Sequence, residues 1–325
     1  MDLIQASGQP RYGRFLEAPD GIQLDAYKNS FLSSEWQRRR RYKKFSFVAI
    51  RHQNLSVGFA IADLAAVGFG FYYSYDALKQ QATEHQALQP LGFSTQVQEA
   101  TTQPQFNYFK SKSVEIYSKQ TKKRREILVR QQNKILCKAS IELQPIQPLY
   151  LCSPNGVRGW TYTHKSMCLA VKGFVNHQGE QYDFNADSLA SLDDTCGFLR
   201  PETEWFWLSC QLILDGQKIG INIASGVNES VGNENCLWID GQLYALADVI
   251  FEPINANTWH IFSLDQQIDL TVKTSWRRYE NKNFGLMASQ FSQWIAEIDG
   301  TIGNEHKQVV ITAAQGLLEQ HYAKW

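Results

Sequence analysis

No excess of either charge marks this sequence. Lys and Arg number 32, Asp and Glu number 32, and the formal net charge is zero. Dedicated nucleic-acid binders carry a basic excess, so no nucleic-acid partner is expected. Cysteine is scarce: six residues, at 137, 152, 168, 196, 210 and 236, with no CxxC pair. That removes zinc ribbons and thioredoxin-type redox motifs. The seven histidines never stand at HxH or HxxxH spacing, so no metal centre is expected. Walker loops, GxSxG elbows, HExxH motifs and GxGxxG turns before a helix are all missing, and Gly68-Phe69-Gly70 lacks a third glycine. Nucleotide-dependent chemistry and serine hydrolysis therefore have no signal, and no cofactor is expected. The opening residues Met1-Asp2-Leu3-Ile4-Gln5 lack the basic and apolar regions of a signal peptide. Free thiols in a reducing cytoplasm are the expectation.

Long apolar runs are also few. Residues 55–73 form one of near membrane-spanning length, but Asp63 sits in its middle. A central Asp costs about 2.5–3.5 kcal/mol in a bilayer. Two buried strands joined by a tight turn at 62–65 are expected instead, and no transmembrane segment.

What is present is apolar and aromatic. Of 325 residues 43% are hydrophobic and 13% aromatic, with nine Trp. That is enough for a core, and the length suits two domains. Asp-Gly and Asn-Gly pairs between alternating runs are strong hairpin signals. Asp215-Gly216, Asp240-Gly241 and Asp299-Gly300 are the clearest, with Asn155-Gly156 and Asp20-Gly21 weaker. Trp205 and Trp207 share one face of a strand with Ser209 and Gln211, while Phe206, Leu208, Cys210 and Leu212 share the other, so both faces are expected to be buried. Short helices are expected at 75–87 and at 284–296, the second also reading as a strand. Residues 86–105 read as a loop, and 119–125 as a basic turn between two strands. Frequent turns without a short repeat predict two successive antiparallel barrels or sandwiches.

Several constellations bear chemistry. Asp193, Asp194 and Arg200 lie within eight residues. They read either as a turn, with Arg200 pairing an Asp, or as a general acid raised by burial beside Trp205 and Trp207. His164 reads as a proton shuttle or as a half-buried strand residue. Glu234 and Asn235 read as groups orienting a ligand or as a loop bonded to itself. The run Arg38–Lys44 reads as a loop and the start of a strand with one basic face, or as a transient contact with an anionic surface. Trp160, Tyr162, Trp205, Trp207 and Trp238 read as core or as the lining of an apolar cavity.

Taken together, Gly159–Lys165, Val171–Val175, Asp193–Arg200 running into Pro201–Trp207, Asn233–Trp238 and Glu319–Trp325 resemble the bacterial family catalogued as domain of unknown function 2804. The resemblance spans nearly the whole chain, from Gly13-Arg14 onward. More distantly the layout resembles the carotenoid hydratase and lipocalin-like cyclase superfamily. Asp193 or Asp194 stands at the acid of its acid–Arg–Glu–Trp motif, without the triplet that follows. This implies a mainly β chain of two lipocalin-like (calycin-like) antiparallel β-barrel domains packed together, with few short helices. The domains are expected at 1–175 and 176–325.

The functional expectation is binding of an apolar small molecule of the lipid, fatty acyl or terpenoid class. The alternatives are a cofactor-free hydratase, isomerase or cyclase using Asp193 or Asp194 with His164 or Glu234, and a structural protein without ligand.

Overall fold

Alternating sequences with left-handed turns fold here almost wholly as antiparallel sheet. The structure is a computed structural model that describes residues 1–32, 34–156, 159–226, 232–283, 285 and 288–324. It divides into two compact units, Met1–Leu199 and Arg200–Trp325. One strand, Gly159–His177, runs continuously through residue 175.

The first unit contains β1 (Gly13–Phe15), α1 (Glu35–Arg41), β2 (Lys43–His52), β3 (Leu55–Asp63), β4 (Val67–Asp76), β5 (Gln81–Pro90), β6 (Thr95–Gln96) and β7 (Gln105–Lys110). It continues with β8 (Glu115–Gln120), β9 (Arg124–Gln131), β10 (Lys134–Glu142), β11 (Leu149–Asn155), β12 (Gly159–His177), β13 (Glu180–Asp183) and β14 (Leu189–Gly197). The sheet order is β5-β4-β3-β2-β14-β12-β10-β9-β8-β7-β6, with β1, β11 and β13 attached through β12. β6 and β7 return against β3 and β4, so the sheet nearly closes into a barrel. Its apolar inner face includes Val48, Ile50, Val57, Phe59, Ile61, Tyr72, Phe109, Ile127, Val129, Leu169 and Leu192.

The second unit is a nine-stranded half-barrel. Its strands are β15 (Glu202–Leu214), β16 (Gln217–Ser225), β17 (Cys236–Ile239), β18 (Gln242–Ala245), β19 (Ile250–Asn255), β20 (Thr258–Phe262), β21 (Ile268–Asn283), β22 (Ala288–Asn304) and β23 (Lys307–Lys324). They are ordered β18-β17-β16-β15-β23-β22-β21-β20-β19. Leu208, Cys210 and Leu212 enter its core, and Trp207, Ser209 and Gln211 on the opposite face are buried as well.

Asp215-Gly216 and Asp240-Gly241 are hairpin turns, with φ of 50° and 81°, and of 48° and 83°. Both central residues are left-handed, as a type I′ turn requires. Asp299-Gly300 is different: it lies inside β22, where the pairing with β23 slips and Gly300 has φ 131°. This is a bulge rather than a turn.

The helix expected at 75–87 is a β4–β5 hairpin, since residues 83–90 alternate in burial with the period of a strand. Residues 86–105 are part strand, with β5 extending to Pro90. At 284–296, residues from Ala288 onward are strand, while Phe284, Leu286 and Met287 lie outside the described residues, as does Trp325.

The run Arg38–Arg41 is the last turn of α1, where cations complement the helix dipole. Ser34 and Gln37 cap the other end as a capping box. It is the one α-helix among the described residues. No helix among them is long and apolar enough to cross a membrane. The six cysteines are all buried.

Candidate functional site

One buried row of side chains crosses the first unit's sheet. Register places Ser46 on β2 opposite Asp194 on β14, Asp194 opposite His164 on β12, and His164 opposite Tyr150 on β11. Opposed residues of antiparallel strands share a face. Strand alternation puts Asp194 with Ala190 and Leu192, and Ser46 with Val48 and Ile50, on the barrel's inner side.

Asp194 is the hub of this row. Ser46 donates to Oδ1 at 2.7 Å. Arg125 on β9 donates from both terminal nitrogens, to Oδ1 at 3.1 Å and Oδ2 at 2.5 Å. His164 Nδ1 lies 3.1 Å from Oδ2, and its Nε2 lies 3.1 Å from Ser166 Oγ. Tyr150 stacks on the imidazole at 5.0 Å between centroids. Arg125 is held in turn by Gln120 Oε1 at 2.6 Å. Arg125, Asp194, His164, Ser166 and Ser46 are all at most 5% exposed.

Burial alone raises the Asp194 carboxyl. The guanidinium of Arg125 and the hydrogen bond with His164 outweigh it and hold the carboxyl well below the usual range. Asp194 is therefore an anion and accepts only. Nδ1 of His164 must then donate to it, and in the neutral tautomer this leaves Nε2 to accept from Ser166. The serine–imidazole–carboxylate order is that of a proton relay.

Asp193 points to the opposite face of β14. There Lys165 Nζ donates to it at 2.5 Å, with Thr195 at 3.3 Å. The two adjacent carboxylates thus form no pair, and the cations answering them are Lys165 and Arg125.

Trp160 and Tyr162 continue the inner face of β12 into an aromatic cluster with Tyr27, Tyr42 and Phe198. Tyr162 donates to Ala100 O at 2.7 Å. Arg200, Trp205, Trp207, Glu234, Asn235 and Trp238 belong to the second unit. Arg200 donates to Gly226 O at 2.7 Å. Trp205 Nε1 donates to Glu319 at 2.8 Å, and Trp207 Nε1 to Asn222 at 2.7 Å. Asn235 accepts from Ala224 N and donates to Ala247 O, tying its loop to the sheet. Glu234 and Trp238 are buried.

Sequence reasoning missed Arg125, Ser46 and Ser166. Arg125 falls within the basic turn expected at 119–125, yet it alternates with Ile127 and Val129, which marks the inner face. Among the described residues no group of three or more His, Cys, Asp or Glu side chains is placed to hold a metal ion.

A family model described as "Domain of unknown function (DUF2804)" matches residues 13–325. No curated protein matches the chain. Among solved structures, "CghA with Sch210972" aligns at TM-score 0.54 and 6% identity, over 88% of this chain and 89% of that one. A putative AttH from Nitrosomonas europaea aligns at 0.47 and 14% identity, over 92% and 95%. Kievitone hydratase from Nectria haematococca aligns at 0.46 and 11%, over 87% and 88%. At these identities the CghA likeness concerns the fold alone, and the other two scores are too low to carry an argument.

Proposed function

We propose that this chain, which belongs to the DUF2804 family, binds an apolar small molecule and moves a proton on it, as a hydratase, isomerase or cyclase does. Lipid, fatty acyl and terpenoid compounds are the candidate ligands. His164 is the proton-transferring group, and Asp194 is the anion that fixes its tautomer and steadies its protonated form. Ser166 links Nε2 to the ligand. In this reading the general acid is the imidazolium, since Asp194 is kept ionised by Arg125.

The observation that carries the reading is the Ser166–His164–Asp194 relay, at 3.1 Å and 3.1 Å, on the inner wall of a barrel whose core includes Phe59, Phe109, Tyr72 and aliphatic side chains. A buried imidazole with a fixed tautomer suits general acid–base work, and apolar surroundings suit an apolar ligand. A structure of similar fold was solved with Sch210972, which is in keeping with small-molecule binding.

Native mass spectrometry of protein purified from cells, followed by organic extraction, tests the binding half. A stoichiometric apolar molecule supports it. Empty protein whose Trp fluorescence ignores fatty acids and terpenoids overturns it. A bound molecule that is never altered reduces the role to carriage.

A further inference from the structure

The second unit holds a cluster that the relay does not use. Along β21 the inner-facing residues are Ile268, Leu270 and Val272. Simple alternation would continue this side through Trp276 and Arg278. Between Thr274 and Arg277, however, the pairing with β22 slips by one residue. Such a bulge re-aims the side chains that follow it. Arg277 is thereby set opposite Trp294 and Tyr279 opposite Ser292, on the core-facing side, while Arg278 is buried on the other.

The guanidinium of Arg277 lies over two rings, 4.3 Å from the Tyr279 centroid and 5.1 Å from the Trp294 centroid. Its Nε and one terminal nitrogen donate to Ser292 Oγ at 3.2 Å and 2.6 Å. Arginine has five N–H donors, so three remain. Arg277 forms no ion pair with any described carboxylate, and its side chain is exposed. Trp294 leads inward to an aromatic row. Trp259 lies 6.4 Å from it, Phe206 lies 5.5 Å from Trp259, and Phe251 stacks on Phe206 at 5.5 Å. β20 pairs with β21 only as far as Lys273. Beyond it, the stretch with Arg277 and Tyr279 has no strand on that side among the described residues.

A planar cation, stacked and pre-oriented at the rim of an aromatic row, matches a carboxylate head on an apolar body. We propose that this end of the half-barrel binds an apolar molecule bearing a carboxylate, with Arg277 reading the anionic group and Trp294, Trp259 and Phe206 taking the body. The site is independent of the relay in the first unit.

Calorimetric titration of the full chain with dodecanoate and with dodecan-1-ol tests this. Saturable binding is expected, with the carboxylate at least tenfold tighter than the alcohol. Arg277→Gln should bring the carboxylate down to the alcohol's affinity and lower Tm by no more than a few degrees, because the side chain is exposed. Hydrogen exchange in residues 275–283 should slow when dodecanoate binds. In His164→Gln the preference for dodecanoate over dodecan-1-ol, and its loss on adding Arg277→Gln, should both persist, separating the site from the relay. Equal affinity for the two probes, no saturable binding, or a preference that survives in Arg277→Gln overturns the assignment.

Discussion

Arg125 and Asp194, 69 residues apart in sequence, form a bidentate ion pair inside the first barrel, across the two strands that separate β9 from β14. Both side chains are essentially fully buried, at 0% and 3% exposure. A buried charge that loses its partner costs far more than the pair contributes. Arg125→Met should therefore destabilise the protein by about 3–5 kcal/mol. Adding Asp194→Leu should restore a large part of that loss. Urea unfolding of the single and double variants measures both.

The same pair sets an acid limit. The folded carboxyl lies below its ordinary 3.8. Its stabilising contribution is thus complete above the unfolded value and is lost as pH falls through the folded one. Denaturation midpoints measured from pH 6 down to pH 2 should drop below about pH 4. In Asp194→Asn the drop should be shallower, from a lower starting stability.

A second titration belongs to His321 on β23. It lies 4.3 Å from Trp205 and 5.0 Å from Phe291, with Ser289 Oγ at 2.9 Å from Nε2. Burial, helped by Arg278, pushes its imidazole down from 6.5 to about 3. The unfolded chain then binds the proton more readily, so stability is full above 6.5 and falls as pH drops toward 3. The slope approaches one proton, about 1.4 kcal/mol per pH unit. His321→Asn should flatten stability against pH between 6 and 4. An unchanged slope would place the titrating group elsewhere.

How far these features could be read from the sequence varied with range. The turn at Asp215-Gly216 was legible because its chemistry is local and both residues take positive φ. The same dipeptide at 299–300 misled, because a bulge and a type I′ turn both use a left-handed glycine, and only the partner strand tells them apart. The hairpin spanning 75–87 was obscured by helix-forming Ala, Lys, Gln and Glu, which tertiary pairing overrode. His164 and Asp194 were each singled out, but their meeting depends on the β12–β14 register. Arg125 was hidden among the lysines and arginines of 119–125, where charge outweighed a short alternation with Ile127 and Val129.

The glycines of the apolar run have a packing reason. A Cβ at Gly70 would collide with the Phe109 ring, inside the barrel. Gly70→Ala should cost about 1–3 kcal/mol through overpacking. The milder Phe109→Leu should relieve much of that cost when combined with it. Thermal unfolding of the two single variants and the double variant reads the coupling.

A relay of this kind moves a proton, and deuterium reports that transfer whatever the net reaction. The protein is incubated in D2O with the apolar molecule it retains, or with a panel of terpenoids and unsaturated fatty acyl compounds. The recovered compound is then weighed by mass spectrometry. Deuterium is expected in carbon-bound positions of a bound compound, lost in His164→Gln and sharply reduced in Ser166→Ala, with both variants folded. A compound that binds tightly yet gains no deuterium, or gains it equally with His164→Gln, would contradict the relay.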